Sequence, residues 1–266
     1  MPAAIYLFCL TAHGRTIELD LSAPPGYGDL VQVDEGNITA VACEVPLGDF
    51  AGESAEEHLE SLDWVGPRAV YHGDVVREVM DHRPVLPSRF GTLFSSKESL
   101  ARFVAANYET IAGFLDRVTG HEEWGLKVLI SKDKAIEYVI GAEMASHAAD
   151  LASASPGIRY VKEKQFRNRA EKTVAARAHE IGRTVVSQMG SFASDLRRRA
   201  TVQTDDRRGD ISVAGHWAFL LPRGKAPEFV SAVNDANSRH EAAGLLFETS
   251  GPWPPYSFTP ALRTEL

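Results

Sequence analysis

Cysteine is nearly missing from this chain of 266 residues: only Cys9 and Cys43 are present. Two thiols make neither a disulfide framework nor a four-cysteine zinc site, and such low usage fits a reducing, cytosolic compartment. Basic residues are the minority, 28 against 36 acidic, for a formal net charge of -8. That balance argues against a dedicated duplex-DNA binder, which carries a positive surplus. No segment approaches the ~20 apolar residues that cross a bilayer. The opening MPAAIYLFCLTA is short and apolar, but its first basic residue is Arg15, so it lacks the charged start of a secretion signal and reads as a strand. The familiar enzyme motifs are missing too: no GxGxxG after a strand, no P-loop lysine motif, no GxSxG and no HExxH.

What is present is a globular composition, 44% hydrophobic and 24% charged, enough apolar side chain for a core and a length suited to two domains. Charge is segregated. Twelve acidic residues and one basic residue lie between Met1 and Trp64; eleven basic and four acidic lie between Arg159 and Arg199. These are either two solvated faces or surfaces that meet partners, or each other, by complementarity.

Periodicity predicts the elements. Ala4–Leu10 and Asn37–Val45 are continuous apolar runs that suit buried strands, joined by a turn-rich stretch with Pro24, Pro25, Gly26 and Gly28. Ser54–Leu62 reads as a short acidic helix and Pro67–His82 as a helix with Pro67 in its first turn. Arg83–Phe94, punctuated by Pro84 and Pro87, reads as a loop. From about Ser96 to Gly120 apolar residues recur at steps of three and four, the stripe of one amphipathic helix. Beyond it come a strand at Trp124–Ile130, a helix from Lys132 to about Ala152 and a long helix near Tyr160–Leu196 with a break at Gly182 or Gly190. A strand at Ala200–Thr204, a DDRRGD turn, a strand at Val213–Leu221, a helix at Ala226–Ala243 and a strand at Leu245–Thr249 complete the order. Three prolines bar the tail Gly251–Phe258 from a helix or a central strand. The chain thus reads as α+β with two domains: residues 1–120, and residues 121–266 with the split βαβ, or ferredoxin-like, order and a Pro-rich aromatic tail.

Chemistry-bearing residues are scattered. His72 and His82 lie ten apart, ~15 Å along a helix and about 80° around it, too far to share an ion; no metal-ligand spacing occurs. Arg68, Arg83 and Arg89 bracket the apolar PVLP segment, either as an anion pocket or as caps on loop carbonyls and partners of acidic residues. The basic run Arg197–Arg199 lacks a nearby base-stacking aromatic motif. Trp253 and Tyr256 sit on a proline-stiffened backbone, where they either plug the core or present anchors to a partner.

Several segments together carry a resemblance: AIYLFCLT, ITAVACEVPLGDF, PRAVYH followed by RPVLPSRFGTLF, EWGLKVLI, and FETSGPWPPYSF, in that order over nearly the whole chain. They resemble the gas vesicle protein L/F family. The chain departs from the family's pattern after His72, where Gly73 precedes Asp74. The resemblance implies two α+β domains, the second a modified ferredoxin-like fold, and no cofactor. It implies a non-enzymatic accessory or minor structural component of gas vesicles, resident there with a cytoplasmic pool. Its partners would be the major shell protein and other gas vesicle accessory proteins, with no nucleic acid and no membrane. Arg68, His72, Pro87, Arg89, Phe90, Trp124, Trp253 and Tyr256 are the candidate partner-contact or structural residues. A ferredoxin-like small-ligand binder or enzyme is the competing class, since that fold hosts many functions; an RNA-associated protein using the basic helix is the third.

Overall fold

The computed structural model describes residues 2–200 and 210–263. The chain is α+β, with two antiparallel sheets in two compact units: residues up to Glu122 together with those from Pro252, and Glu123–Gly251.

The first unit holds β1 (Ala3–Ala12), β2 (Val31–Glu35), β3 (Ile38–Pro46), α1 (Glu53–Glu60), α2 (Leu62–His82), β4 (Val85–Pro87), β5 (Leu93–Phe94), α3 (Lys97–Ala106) and α4 (Tyr108–Val118). The strand order is β2-β3-β1-β4, with β5 also paired to β1. β1 is buried at every position from Ala4 to Thr11, so both its faces are covered, and α2 and α4 both pack against it. Its pairing with β3 runs from Ala3↔Pro46 to Ala12↔Ile38, and Phe8 is the extra residue where the register shifts between Leu7 and Cys9. Cys9 and Cys43 are buried and free on these neighbouring strands.

Several sequence expectations need correction here. α2 begins at Leu62, so Pro67 lies inside the helix rather than in its first turn. Its missing N–H forgoes a bond only to the carbonyl of Asp63, in the opening turn. The segment read as a loop contains β4 and β5. Pro87 is tolerated because, among the described strands, β4 pairs with β1 alone, leaving one side free of ladder bonds. The helix expected from Ser96 to Gly120 is two helices. Asn107 ends the first: its Nδ2 donates to the Phe103 carbonyl (2.9 Å), the acceptor a continuing helix would give to its backbone N–H. Ser96 and Ser99 close a capping box at the start of α3.

The second unit holds β6 (His121–Ser131), α5 (Lys132–Ser146), α6 (Ala148–Ala152), α7 (Pro156–Met189), β7 (Asp195–Arg198), β8 (Ile211–Pro222), α8 (Ala226–His240) and β9 (Leu245–Trp253). The order is β7-β8-β6-β9. The apolar stripe of α7, with Phe166, Ala170, Val174, Ala178, Val185 and Met189 buried, packs on Leu126, Val128, Phe219 and Phe247. α7 runs unbroken through Gly182 and stops at Gly190. A Cβ at Gly182 would meet the Val128 side chain at 3.2 Å, so the glycine permits close helix-to-sheet approach. The helix therefore ends before Leu196, which belongs to β7, paired with β8. The strand and turn expected at 200–204 and 205–210 fall largely on residues 201–209, outside the described residues. β9 reaches Trp253 through Pro252, as an edge strand can. Gly244, at φ +76°, turns the chain into β9, where a Cβ would come within 2.7 Å of the Ser131 carbonyl.

Candidate functional site

The sequence candidates distribute unevenly. Arg68, His72 and Phe90 converge in the first unit around one aromatic cluster built on β1. The Tyr6 ring lies 4.9 Å from Phe8, 5.4 Å from Tyr27 and from Phe50, 5.7 Å from His72 and 6.1 Å from Phe90. His72 arrives on the inner face of α2 beside Val75, Val76 and Val79. Its Nδ1 is 2.9 Å from the Tyr6 hydroxyl, which also accepts the Gly91 N–H at 3.2 Å. This short polar chain pins the 88–92 turn to the sheet and to α2. The His72 Nε2 has no hydrogen-bond partner. Burial draws the His72 pKa down to about 4, with the Ser88 backbone opposing only in part. Burial likewise pushes the Tyr6 phenol far up. A neutral imidazole and a neutral phenol in an apolar shell make a structural tie.

Arg68 is also buried. Its guanidinium donates to the carbonyls of Trp64 (3.1 Å) and Pro25 (2.9 Å) and stacks 4.0 Å over the Trp64 ring. Arg83 donates to the carbonyls of Ala12 and Arg15. Both arginines therefore hold backbone carbonyls, while Arg89 is exposed, its own carbonyl accepting from Thr92. Pro87 is buried on β4, opposite Cys9.

Trp124 belongs to the second unit, where its ring lies 6.3 Å from Phe229. Beside it Glu123 is 1% exposed, its carboxylate 3.8 Å from the Arg199 guanidinium. Among the described residues no three His, Cys, Asp or Glu side chains form a group that would hold a metal ion.

The tail divides by residue. Pro254, Pro255 and Phe258 are buried, whereas Trp253 and Tyr256 are 41% and 37% exposed. The Arg117 guanidinium donates to the Phe258 carbonyl at 2.8 Å. Asn107, a residue that sequence reasoning did not single out, ties down the end of the chain. Its Oδ1 accepts the Arg263 N–H (2.8 Å) and its Nδ2 donates to the Arg263 carbonyl (3.1 Å). A buried asparagine in an apolar helical stripe was the one available signal. Asn107→Ala is expected to cost about 1–2 kcal/mol, because the buried Asn107 side chain gives up its hydrogen bonds to the Phe103 and Arg263 backbone, and to speed proteolysis after Phe258. Limited digestion followed by mass spectrometry checks this.

Two hollows open on the first unit. One, about 410 Å³, lies under the acidic 16–30 segment and is lined by Leu19, Leu21, Tyr27, Leu30 and Tyr71 among others. The other, about 390 Å³, is lined by Thr92, Leu93, Phe94, Ser95, Ser99, Arg102 and Phe103. It lies at the sheet edge, where β4 and β5 pair with β1 alone among the described strands. An apolar floor, one guanidinium and a free strand edge suit a polypeptide better than a small metabolite.

The family described as gas vesicle synthesis protein GvpL/GvpF matches residues 4–260. Gas vesicle protein L of Streptomyces sp. (strain CB03234) is 27% identical over 84% of this chain and 80% of its own. Gas vesicle protein L2 of Halobacterium salinarum is 26% identical over 98% of this chain and 92% of its own. The crystal structure of gas vesicle protein GvpF from Anabaena sp. PCC7120 aligns with a TM-score of 0.66 over 99% of both chains at 14% identity. That of GvpF from Microcystis aeruginosa aligns at 0.63 over 97% of this chain and 99% of its own, at 15% identity. The match spans both units and nearly every described element, and this chain belongs to the GvpL/GvpF family of gas vesicle proteins.

Proposed function

We propose that this chain is an accessory or minor structural protein that acts in gas vesicle assembly by binding the hydrophobic shell protein and other gas vesicle accessory proteins. It resides at the gas vesicle, with a pool in the cytoplasm, and transforms no substrate. The observation that carries the reading is the family match from residue 4 to residue 260. On this reading residues 1–120 and the chain from 121 act as two domains, with the tail from Pro252 grouped with the first. The second is a modified ferredoxin-like domain, supported by the order β7-β8-β6-β9 with helices after β6 and after β8.

The physics of the task is simple. A gas-filled wall needs an apolar inner surface, so a free wall subunit exposes apolar area that drives non-specific association. A partner that covers this area until insertion keeps the subunit competent. The hollow beside Leu93, Phe94 and Phe103 supplies an apolar groove, and the free edge of β4 and β5 supplies backbone groups for an added strand. Phe90, Arg89, Trp253 and Tyr256 are candidate rim contacts, while Arg68, His72, Pro87 and Trp124 support the fold beneath. The acidic 1–64 segment supplies solubility and steering.

Deleting the gene and imaging the cells by electron microscopy tests the role: few or malformed vesicles are expected, and intact vesicles in normal number would contradict it. The groove has its own test. Leu93→Asp is expected to weaken capture of the shell protein at least ~10-fold, about 1.4 kcal/mol, with an unchanged circular dichroism spectrum. Undiminished capture would remove the groove from the account.

A further inference from the structure

Ten large apolar side chains are conspicuously exposed among the described residues, and six of them fall in two patches. The first patch is the corner where α1 meets α2. Leu59 (49%) and Leu62 (84%) flank the Ser61 junction, and Val70 (64%) lies two turns farther along α2. Around them stand the exposed carboxylates Glu56, Glu57, Glu60 and Asp63. No lysine or arginine occurs between Arg15 and Arg68, and Arg68 is buried with its guanidinium bonded to carbonyls. The second patch is the first two turns of α7, where Ile158, Tyr160 and Val161 are 53%, 67% and 53% exposed. Lys162, Lys164 and Arg167 lie in and just after these turns, with Glu163 the one acid from Ile158 to Arg167.

Apolar groups of this size left in water on helices mark contact surfaces. Here the two surfaces are complementary: both expose apolar side chains, and the charges interspersed with them are of opposite sign. Both remain exposed in the folded chain. We propose that copies of this chain associate head to tail, the acidic α1–α2 corner of one docking on the basic first turns of α7 of the next. The interface is heterologous: the patch used on one copy differs from the patch used on its neighbour. Such contacts propagate into rings or open chains instead of stopping at a dimer. A few side chains per face make a small interface, so association is weak and concentration-dependent. Opposite charges steer the copies together and leave shell-protein binding at β4 and β5 free. The proposal does not depend on that binding.

Sedimentation equilibrium of the full chain tests it. The weight-average mass is expected to rise with concentration at about 0.05 M salt, and association is expected to weaken at least ~10-fold at about 0.5 M, where screening shortens the reach of charge. The variant Glu56→Lys, Glu57→Lys, Glu60→Lys and the variant Lys162→Glu, Lys164→Glu, Arg167→Glu are each expected to stay monomeric alone. An equal mixture of the two is expected to regain association, because every new contact is again between opposite charges. All six substitutions are on helix surfaces, and circular dichroism confirms that each variant is folded. A chain that stays monomeric throughout, or variants that associate as well alone as mixed, would overturn the proposal.

Discussion

Phe8→Ala is expected to destabilise the first unit by about 3–5 kcal/mol, the cost of emptying a large aromatic site in a close-packed core. Phe8 is 0% exposed and sits in the bulge of β1. Its ring contacts Tyr6 at 4.9 Å, Tyr71 at 5.6 Å and His72 at 5.6 Å. The neighbours cannot collapse into the space, because Tyr6 is held by the Gly91 N–H and His72 by the Tyr6 hydroxyl. A loss of this size is a large part of the 5–15 kcal/mol that holds a typical domain together. Guanidinium unfolding checks it: the first unit's midpoint should fall sharply in Phe8→Ala and less in Phe8→Leu, which keeps part of the volume. A change below about 1 kcal/mol would mean that the aromatic cluster does not organise this unit.

The second large effect is expected on acidification. His72 has a pKa of about 4 in the fold because burial disfavours its charged form, against about 6.5 for a free histidine. Between those values the unfolded chain binds a proton that the folded chain does not, so stability falls as pH drops from about 6.5 to about 4. At 1.36 kcal/mol per pH unit the full loss is about 3 kcal/mol, of which about 2 falls between pH 7 and pH 5. His216 in the second unit is also lowered to about 4, by burial first and then by Arg199 and Lys127, and acts in the same window; being half-exposed, it contributes less. Urea unfolding at pH 7 and pH 5 measures the loss, and His72→Phe isolates it. That variant removes the titrating group, so the first unit's loss between the two pH values should shrink by about 2 kcal/mol. An unchanged pH dependence would show that His72 is not the group responsible.

These predictions rest on elements that were legible to different degrees. β1 and β3 announced themselves because a strand buried at consecutive positions needs a nearly continuous apolar run, and AIYLFCL and ITAVACEV are such runs, the second interrupted only by Thr39 and the exposed Glu44. The stripe of α7 was legible for the same kind of reason, one apolar face every three or four residues. β2 was not, because five half-exposed residues at an edge carry little pattern. β4 and β5 were hidden by Pro84 and Pro87, whose local signal says loop while pairing to β1 decides otherwise. The division at Asn107 depends on one side chain bonding a carbonyl four residues back and the chain end 156 residues on, and no local window contains both partners. Of the candidate site, His72 and Phe90 do meet, and Arg68 reaches the same cluster only through Trp64 and Phe50, yet their proximity depends on how α2 and the 88–92 turn pack on β1. The resemblance to a family was legible because it used whole segments, VLPSRFGTLF and GPWPPYSF among them, and did not depend on any single contact.

The central claim is that this chain works by holding an apolar wall subunit. Co-expression of the tagged full chain with the major shell protein, followed by affinity capture and quantification of the soluble shell protein retained, tests that claim most directly. The account predicts soluble shell protein recovered with the wild-type chain and lost with Leu93→Asp. Shell protein that is equally insoluble with and without the chain, and never retained by it, would contradict the account.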